Sequence, residues 1–382
     1  MRRRPGRGGA ELPGLSGLSA LVSFDAIPGW NEDEGVEQAF AAFARSAREA
    51  QKRPYKTGSL GVSFESFAES FVQALSVTRR PGKAEARAFF ERYFVPFRFR
   101  PESGAAGFMT GYYEPEAPAS YRRTERFPVP LYRPPDDLVK VDGGNRPEGW
   151  DPSITFARMQ DGDLVPYHDR EAIERGALTG RDLELCWLAD RVDAFFIHVQ
   201  GAARLKMTDG ETMRVTYAAK SGHPFTAIGR VLANLGEIPL EQVTMQTIRS
   251  WLRDHPERRD EILWKNRSYI FFHETPFGDP ELGPVAAAKV QLQPGRSIAV
   301  DRLLHTFATP FFIAAPELRH VDGRPFRRLM IAQDTGSAIT GPARGDLFIG
   351  TGHEAGEIAG TIRHAADVYV LVPRRLVEER DA

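Results

Sequence analysis

The sequence predicts a mainly β protein with helices, of the α+β class: a β-rich domain interrupted by a second, mixed domain and covered by N-terminal helices. Three observations carry this. Apolar residues recur at helical spacing between about residues 31 and 94. After about residue 105 the texture changes to short apolar runs separated by Pro and Gly. Strand-like runs dominate again from Asn266 to Val372.

Taken in order, residues 1–30 are rich in Gly and Pro and are expected to form a flexible segment. A helix is predicted from Asn31, with Asn as cap, Glu32, Asp33 and Glu34 in the first turn, and Val36, Phe40, Phe43 and Ala47 along one face. Phe64 to Val77 and Ala84 to Phe94 predict two more helices packed with it. The boundaries read as 31–116 plus 263–382 for the β-rich domain with its helices, and 117–262 for the insert. Within the insert, Ala194 to Val199 and Met213 to Tyr217 read as strands; Asp169 to Leu178 and Phe225 to Leu235 read as short helices. No repeat of solenoid period is present.

Composition narrows the function. Of 382 residues 42% are hydrophobic and 26% charged, as in a folded globular protein; 50 Lys+Arg nearly cancel 51 Asp+Glu, and no basic stripe lies outside the first residues. Nucleic acid is therefore not the expected partner. Cys186, the single cysteine, sits in an apolar run and is expected to be a buried, inert thiol. Met1-Arg2-Arg3-Arg4 starts like a signal peptide, but no apolar segment follows, and neither a leader, a lipobox cysteine nor a membrane span is readable.

The chemistry is carried by aspartates. Asp334 and Asp346 each border a short apolar run, with a Gly/Pro-rich turn between them, and Asp301 closes another such run, Ser297 to Val300. A carboxylate at the end of a buried strand is held in place and partly stripped of water, which makes it a candidate proton donor. Asp334-Thr335-Gly336-Ser337 matches the aspartic-protease signature, but that chemistry needs a second such motif, which the chain lacks. The nine histidines form no ligand spacing, no Gly-x-Ser-x-Gly elbow exists, and Gly350-Thr351-Gly352 lacks the context of a phosphate loop; no metal and no cofactor are expected. What remains is acid catalysis on a sugar. One carboxylate suffices where the nucleophile is already tethered to the substrate, as is the C6 hydroxyl of N-acetylmuramic acid, which can close a 1,6-anhydro ring on its own C1.

At these residues the chain resembles the lytic murein transglycosylase A family with its C-terminal three-aspartate domain. The family's Asp-Thr-Gly-Gly-Ala-Ile-x-Gly followed by Asp is met from Asp334 to Asp346, with Ser337 for the second Gly. Further motifs are met at Thr110-Gly111-Tyr112-Tyr113-Glu114-Pro115, at Gln200-Gly201-Ala202-Ala203-Arg204-Leu205, at Gly222 to Gly229 and at Asn266 to Phe272. Ala202-Ala203 stand for Ser-Gly, Phe225 for Tyr, and Lys220-Ser221 where an Asn is expected.

The resemblance implies a double-psi β-barrel with an inserted β-rich domain, and a groove for a glycan strand. It implies cleavage of the β-1,4 bond between N-acetylmuramic acid and N-acetylglucosamine of peptidoglycan. Asp346 is then the single acid and later base, which requires surroundings that lift it above the ordinary value of about 3.9; Leu347-Phe348-Ile349 offers an apolar wall. Asp334 positions Asp346 or the sugar, or caps its own turn; Asp301 holds a turn or barrel end. Thr110, Gly111, Tyr112, Tyr113, Gln200, Gly201, Arg204 and Lys220 are the expected sugar contacts. One of Tyr112 and Tyr113 stacks on sugar and the other fills a strand face, since neighbours on a strand point oppositely. The implied setting is a monomer on the periplasmic face of the envelope, in the family often tied to the outer membrane as a lipoprotein. A hydrolytic glucanase and a non-catalytic peptidoglycan-binding protein are the alternatives.

Overall fold

A computed structural model describes residues 20–99, 106–152 and 154–381, the last two by backbone only. Residues 1–19, part of the segment expected to be flexible, lie outside the described residues. Residues 20–30 are ordered into the fold: Ala20–Leu21 pairs with strand Phe94–Arg98, and the buried Trp30 donates from Nε1 to Glu91 at 2.7 Å.

The chain divides into two compact units. The first holds the residues up to Tyr112, Glu281–Gly350 and Ile362 onward; the second holds Tyr113–Pro280 and Thr351–Thr361. The second unit runs past the expected boundary at 262 because Ile270–Thr275 pairs along Thr212–Lys220.

Six strands of the first unit's eight-stranded sheet form a ring: β1 (Gly107–Glu114), β2 (Ser297–Val300), β3 (Pro310–Ala315), β4 (Phe326–Asp334), β5 (Arg344–Thr351) and β6 (Arg363–Pro373). Their order β6-β3-β4-β2-β5-β1 closes on itself through a β1–β6 pairing, so the ring has no free edge. β2 and β4 run parallel, whereas β2–β5, β3–β4, β3–β6 and β1–β6 run antiparallel. This is the double-psi β-barrel. Every residue of β2 and β3 is buried, which is why both read as continuous apolar runs rather than alternating ones.

Three helices precede the ring: α1 (Val36–Lys52), α2 (Ala68–Ser76) and α3 (Lys83–Tyr93). α1 buries Val36, Phe40, Phe43 and Ala47, the predicted face, but it begins at Val36, not Asn31. The acids ahead of it have other work. Asp33 is buried, accepts two hydrogen bonds of 2.7 Å from Arg296 and one of 2.8 Å from Leu329 N, and the chain turns around that pair before the helix can start. Gln333, a polar residue inside β4, is fully buried and satisfied: its Nε2 donates to Ala42 O and Ser46 Oγ, each at 2.8 Å, and its Oε1 accepts from Ser297 Oγ.

The second unit has a six-stranded sheet, in the order Ile270–Thr275, Thr212–Lys220, Ala202–Met207, Glu116–Ser120, Glu184–Leu188, Val129–Tyr132, and a separate three-stranded one. The stretch Ala194 to Val199, expected as a strand, is helix: α4 spans Arg191–Gln200. Its ends decide this. Asp190 accepts from the backbone N–H groups of Val192 and Asp193 as N-cap, and Gly201 at φ +77° supplies the left-handed C-cap. Its β-favouring middle is buried among other elements, where propensity yields to packing. Cys186 is fully buried, and burial pushes its thiol up to about 12.

Candidate active site

Strand register gathers the acids of the first unit. Ala299 of β2 faces Asp334 of β4 on one side and Asp346 of β5 on the other. The two aspartates thus share a rung with one small residue between them, about 10 Å apart along the backbone. Alternation separates the two sides of this wall. Gly345 faces inward, where a Cβ would stand 2.6 Å from Ile298 Cδ1 and 2.9 Å from Met109 Sδ. Arg344 and Asp346 stand on the other side, together with Thr110 and Tyr112 of β1.

Asp346 is partly buried. Its Oδ1 accepts from Thr110 Oγ1 at 2.5 Å, and Thr110 Oγ1 in turn accepts from Arg344 Nη2 at 2.7 Å, so the arginine leaves the hydroxyl proton free to point at the carboxylate. Among the described residues no protein group donates to Oδ2. Crowding by protein raises the carboxyl to about 6; the Thr110 hydrogen bond and the Arg344 charge pull it down, and the Asp334 charge adds to the rise.

Asp334 is occupied differently. Its Oδ2 accepts from Tyr112 Oη at 2.9 Å, and its Oδ1 from Thr335 N at 2.9 Å and Ala287 N at 3.3 Å. Burial raises its pKa, and these three donors oppose the rise. The Tyr112 ring packs 5.3 Å from that of Phe348, which is fully buried, so the apolar wall expected after Asp346 is in place through Phe348.

Asp301 stands just beyond β2 and spends both oxygens on backbone: Oδ1 accepts from Leu303 N at 3.0 Å and Oδ2 from Gly341 N at 2.9 Å. It ties the loop between Asp334 and Asp346 to the barrel rim.

Two family models match the chain: the MltA specific insert domain over residues 108–273 and the 3D domain over 296–372. The crystal structure of a membrane-bound lytic murein transglycosylase from Agrobacterium tumefaciens is 48% identical, covering 94% of this chain and 99% of that one, with a TM-score of 0.88. The chain belongs to the membrane-bound lytic murein transglycosylase A family. Its relative of that name in Escherichia coli K12 is 33% identical over 269 residues, 69% of this chain and 65% of the relative's length. The crystal structure of E. coli MltA with bound chitohexaose is 26% identical and superposes with a TM-score of 0.67, over 89% of this chain and 91% of that one.

In this transglycosylase A family member the remaining expected contacts differ in what they do. Gly111 lies between Thr110 and Tyr112 on β1. Tyr113 belongs to the second unit, where it is buried and packs on helix α5 (Gly352–Ala359); a Cβ on Gly356 would come 2.8 Å from its ring. Of the two tyrosines, Tyr112 therefore stands by the acids and Tyr113 fills a packed face. Gln200 Oε1 accepts from Tyr113 N at 3.1 Å, and Gly201 caps α4. Arg204 approaches Glu114 and Thr351, each at 3.5 Å, and donates to Pro280 O at 3.1 Å. Lys220, at the end of its strand, has no acidic partner among the described residues, and burial lowers its ammonium pKa.

Arg344 was not anticipated as a site residue, although its position two before Asp346 on a strand places it on the same side. Ala287 carried no signal: it contributes through its backbone N–H. Replacing Tyr112 by Phe removes one donor from Asp334. The Asp334 pKa is then expected to rise further, read by carboxyl NMR titration, with a stability loss of about 1.5–3 kcal/mol in chemical denaturation.

Proposed function

We propose that this protein is a peptidoglycan lytic transglycosylase that cuts the β-1,4 bond between N-acetylmuramic acid and N-acetylglucosamine, with Asp346 as its only acid and base. The observation that carries this is the contrast between the two carboxylates. Asp334 has both oxygens engaged by three donors, whereas Asp346 keeps one oxygen open and its pKa at about 6. Asp346 can therefore hold a proton near neutrality and deliver it.

Protonated Asp346 gives its proton to the glycosidic oxygen as the bond to C1 breaks, releasing the N-acetylglucosamine hydroxyl. The resulting carboxylate takes the proton from the C6 hydroxyl of the muramic acid as that oxygen bonds to C1. The proton count returns to its start and the product ends in a 1,6-anhydro ring. The tethered hydroxyl acts at a very high effective concentration, so no second carboxylate is asked to activate water. Thr110 and Arg344 hold Asp346 in place, and the Asp334 charge helps it keep its proton.

The bound chitohexaose of the E. coli relative supports a glycan strand as substrate. The relatives named membrane-bound murein enzymes support a place at the periplasmic face of the envelope, where the protein acts as a monomer; no helix among the described residues is long and apolar enough to cross a membrane.

Digestion of purified sacculi is expected to release anhydro-ended fragments, identified by mass spectrometry. On soluble glycan fragments kcat/KM should fall about tenfold per pH unit above about 6, as the acid loses its proton. Reducing ends in place of anhydro ends would mean hydrolysis; binding without cleavage would leave a carbohydrate-binding protein.

A further inference from the structure

Behind Asp334 the segment from Ala286 to Val290 makes a tight turn: Ala286 N donates to Val290 O at 3.0 Å and Lys289 N to Ala286 O at 2.9 Å. The turn is fastened to the site from three directions. Ala287 N reaches Asp334, Ala288 N donates to Gln333 O at 3.0 Å, and Tyr55 Oη donates to Ala288 O at 2.9 Å. Next to it lies a cavity of about 260 Å³, bordered also by the chain after α1 and the chain after β2.

Four cations line this cavity, Arg53, Lys56, Lys289 and Arg302, against one acid, Glu49, which contacts Lys52 at 3.1 Å. Among the described residues none of the four makes an ion pair or a side-chain hydrogen bond with protein. His305 adds no charge, because burial holds its pKa at about 4 and its Nε2 donates to Pro342 O. The backbone is strained here as well. Lys289 (φ +61°) and Ala308 (φ +74°), which follows the lining residue Phe307, are two of the four non-glycine residues with positive φ among the described residues.

Four unpartnered cations around one small cavity attract an anion, and the Tyr55 and Phe307 rings in the lining add apolar contact. The volume lies just under the roughly 300–1,000 Å³ of whole-ligand sites, so it takes a fragment of a larger substrate. We propose that this cavity binds the carboxylate-bearing peptide limb carried by the muramic acid of the glycan strand. The proposal rests on the transglycosylase reading, which places a muramic acid at Asp346. The lining residue Ala287 donates its backbone N–H to Asp334, which shares a rung with Asp346, so the cavity borders the strand end that carries the site.

Two readouts test it on the full chain. Calorimetric titration with the dipeptide L-Ala-γ-D-Glu should show binding that weakens with salt and is lost when Lys56→Gln, Lys289→Gln and Arg302→Gln are combined. Equal or tighter binding of inorganic phosphate at matched ionic strength would overturn the peptide assignment in favour of a general anion site, and no binding of either would overturn it outright. In the kinetic arm, losing three exposed charge pairs should raise KM for peptide-bearing glycan fragments about tenfold. kcat should stay unchanged, and so should both constants on amidase-stripped strands. Equal effects on both substrates, or none on either, would overturn it. The titration does not depend on wall cleavage, so a chain that binds the dipeptide but cuts nothing would refute the activity and leave the pocket standing.

Discussion

Asp346→Asn is expected to cut release of anhydro-ended fragments by about 10³–10⁴-fold, since in the proposed mechanism one carboxyl both gives and takes the proton. Asn keeps the shape and the oxygen that accepts from Thr110, but has no proton to exchange in this range. The same change should stabilise the protein. The folded carboxyl titrates near 6, above its ordinary value of 3.8, so the folded state binds its proton more tightly than the unfolded chain does. The charge therefore costs nothing well below pH 3.8, costs increasingly as pH rises from there, and costs fully above about 6. The Asn variant should gain on the order of 1–2 kcal/mol at pH 7 and nothing at pH 3.5. Denaturation midpoints at the two pH values check this. A variant that is inactive and also less stable at pH 7 would point to misfolding rather than to a lost acid.

The largest stability effect is expected from Arg214→Ala in the second unit. Glu114 and Arg214 have fully buried side chains, meeting at 2.8 Å between Nε and Oε1 and 3.0 Å between Nη2 and Oε2. Burial alone pushes the glutamate up and the arginine down, against the charged form of each, and the partner opposes both shifts. Arg214 also donates to Phe277 O at 2.6 Å, and Thr351 Oγ1 donates to Glu114 at 2.8 Å. Removing the arginine leaves Glu114 buried without its main counter-charge, at a cost of about 3–5 kcal/mol. Replacing both residues with leucine should recover much of that. Hydrogen exchange over the strands Ala202–Met207 and Thr212–Lys220 reads the loss locally. Arg204→Ala, with its longer 3.5 Å approach to Glu114, should cost far less.

These expectations also show what kinds of information the sequence carries. Strands buried on every residue, such as Pro310–Ala315, announce themselves as apolar runs, and an acid at the end of such a run is legible as a candidate site. Which of two adjacent tyrosines faces the acids is not legible, because alternation gives opposite faces without saying which; the missing Cβ at Gly356 makes the room that Tyr113 fills. Ala194 to Val199 reads equally well as strand or helix, and the difference lies in its flanking caps, Asp190 and Gly201. That Arg204 lies beside a glutamate 90 positions away is not legible in the sequence either. The cavity behind Asp334 is invisible in the sequence, since its lining comes from three distant segments.

The hydrogen bonds that define the site join residues 236 and 222 positions apart, Thr110 with Asp346 and Tyr112 with Asp334. Until the ring of strands shuts, Asp346 is an ordinary solvated aspartate, ionised at neutral pH and useless as a donor. If Asp346 is the acid, as proposed, a chain still being made or caught half-folded is harmless to any wall it meets. On the proposed role of Asp346, the acid exists only within the closed ring, so a substitution that destabilises the ring is expected to cost activity without touching the acid itself.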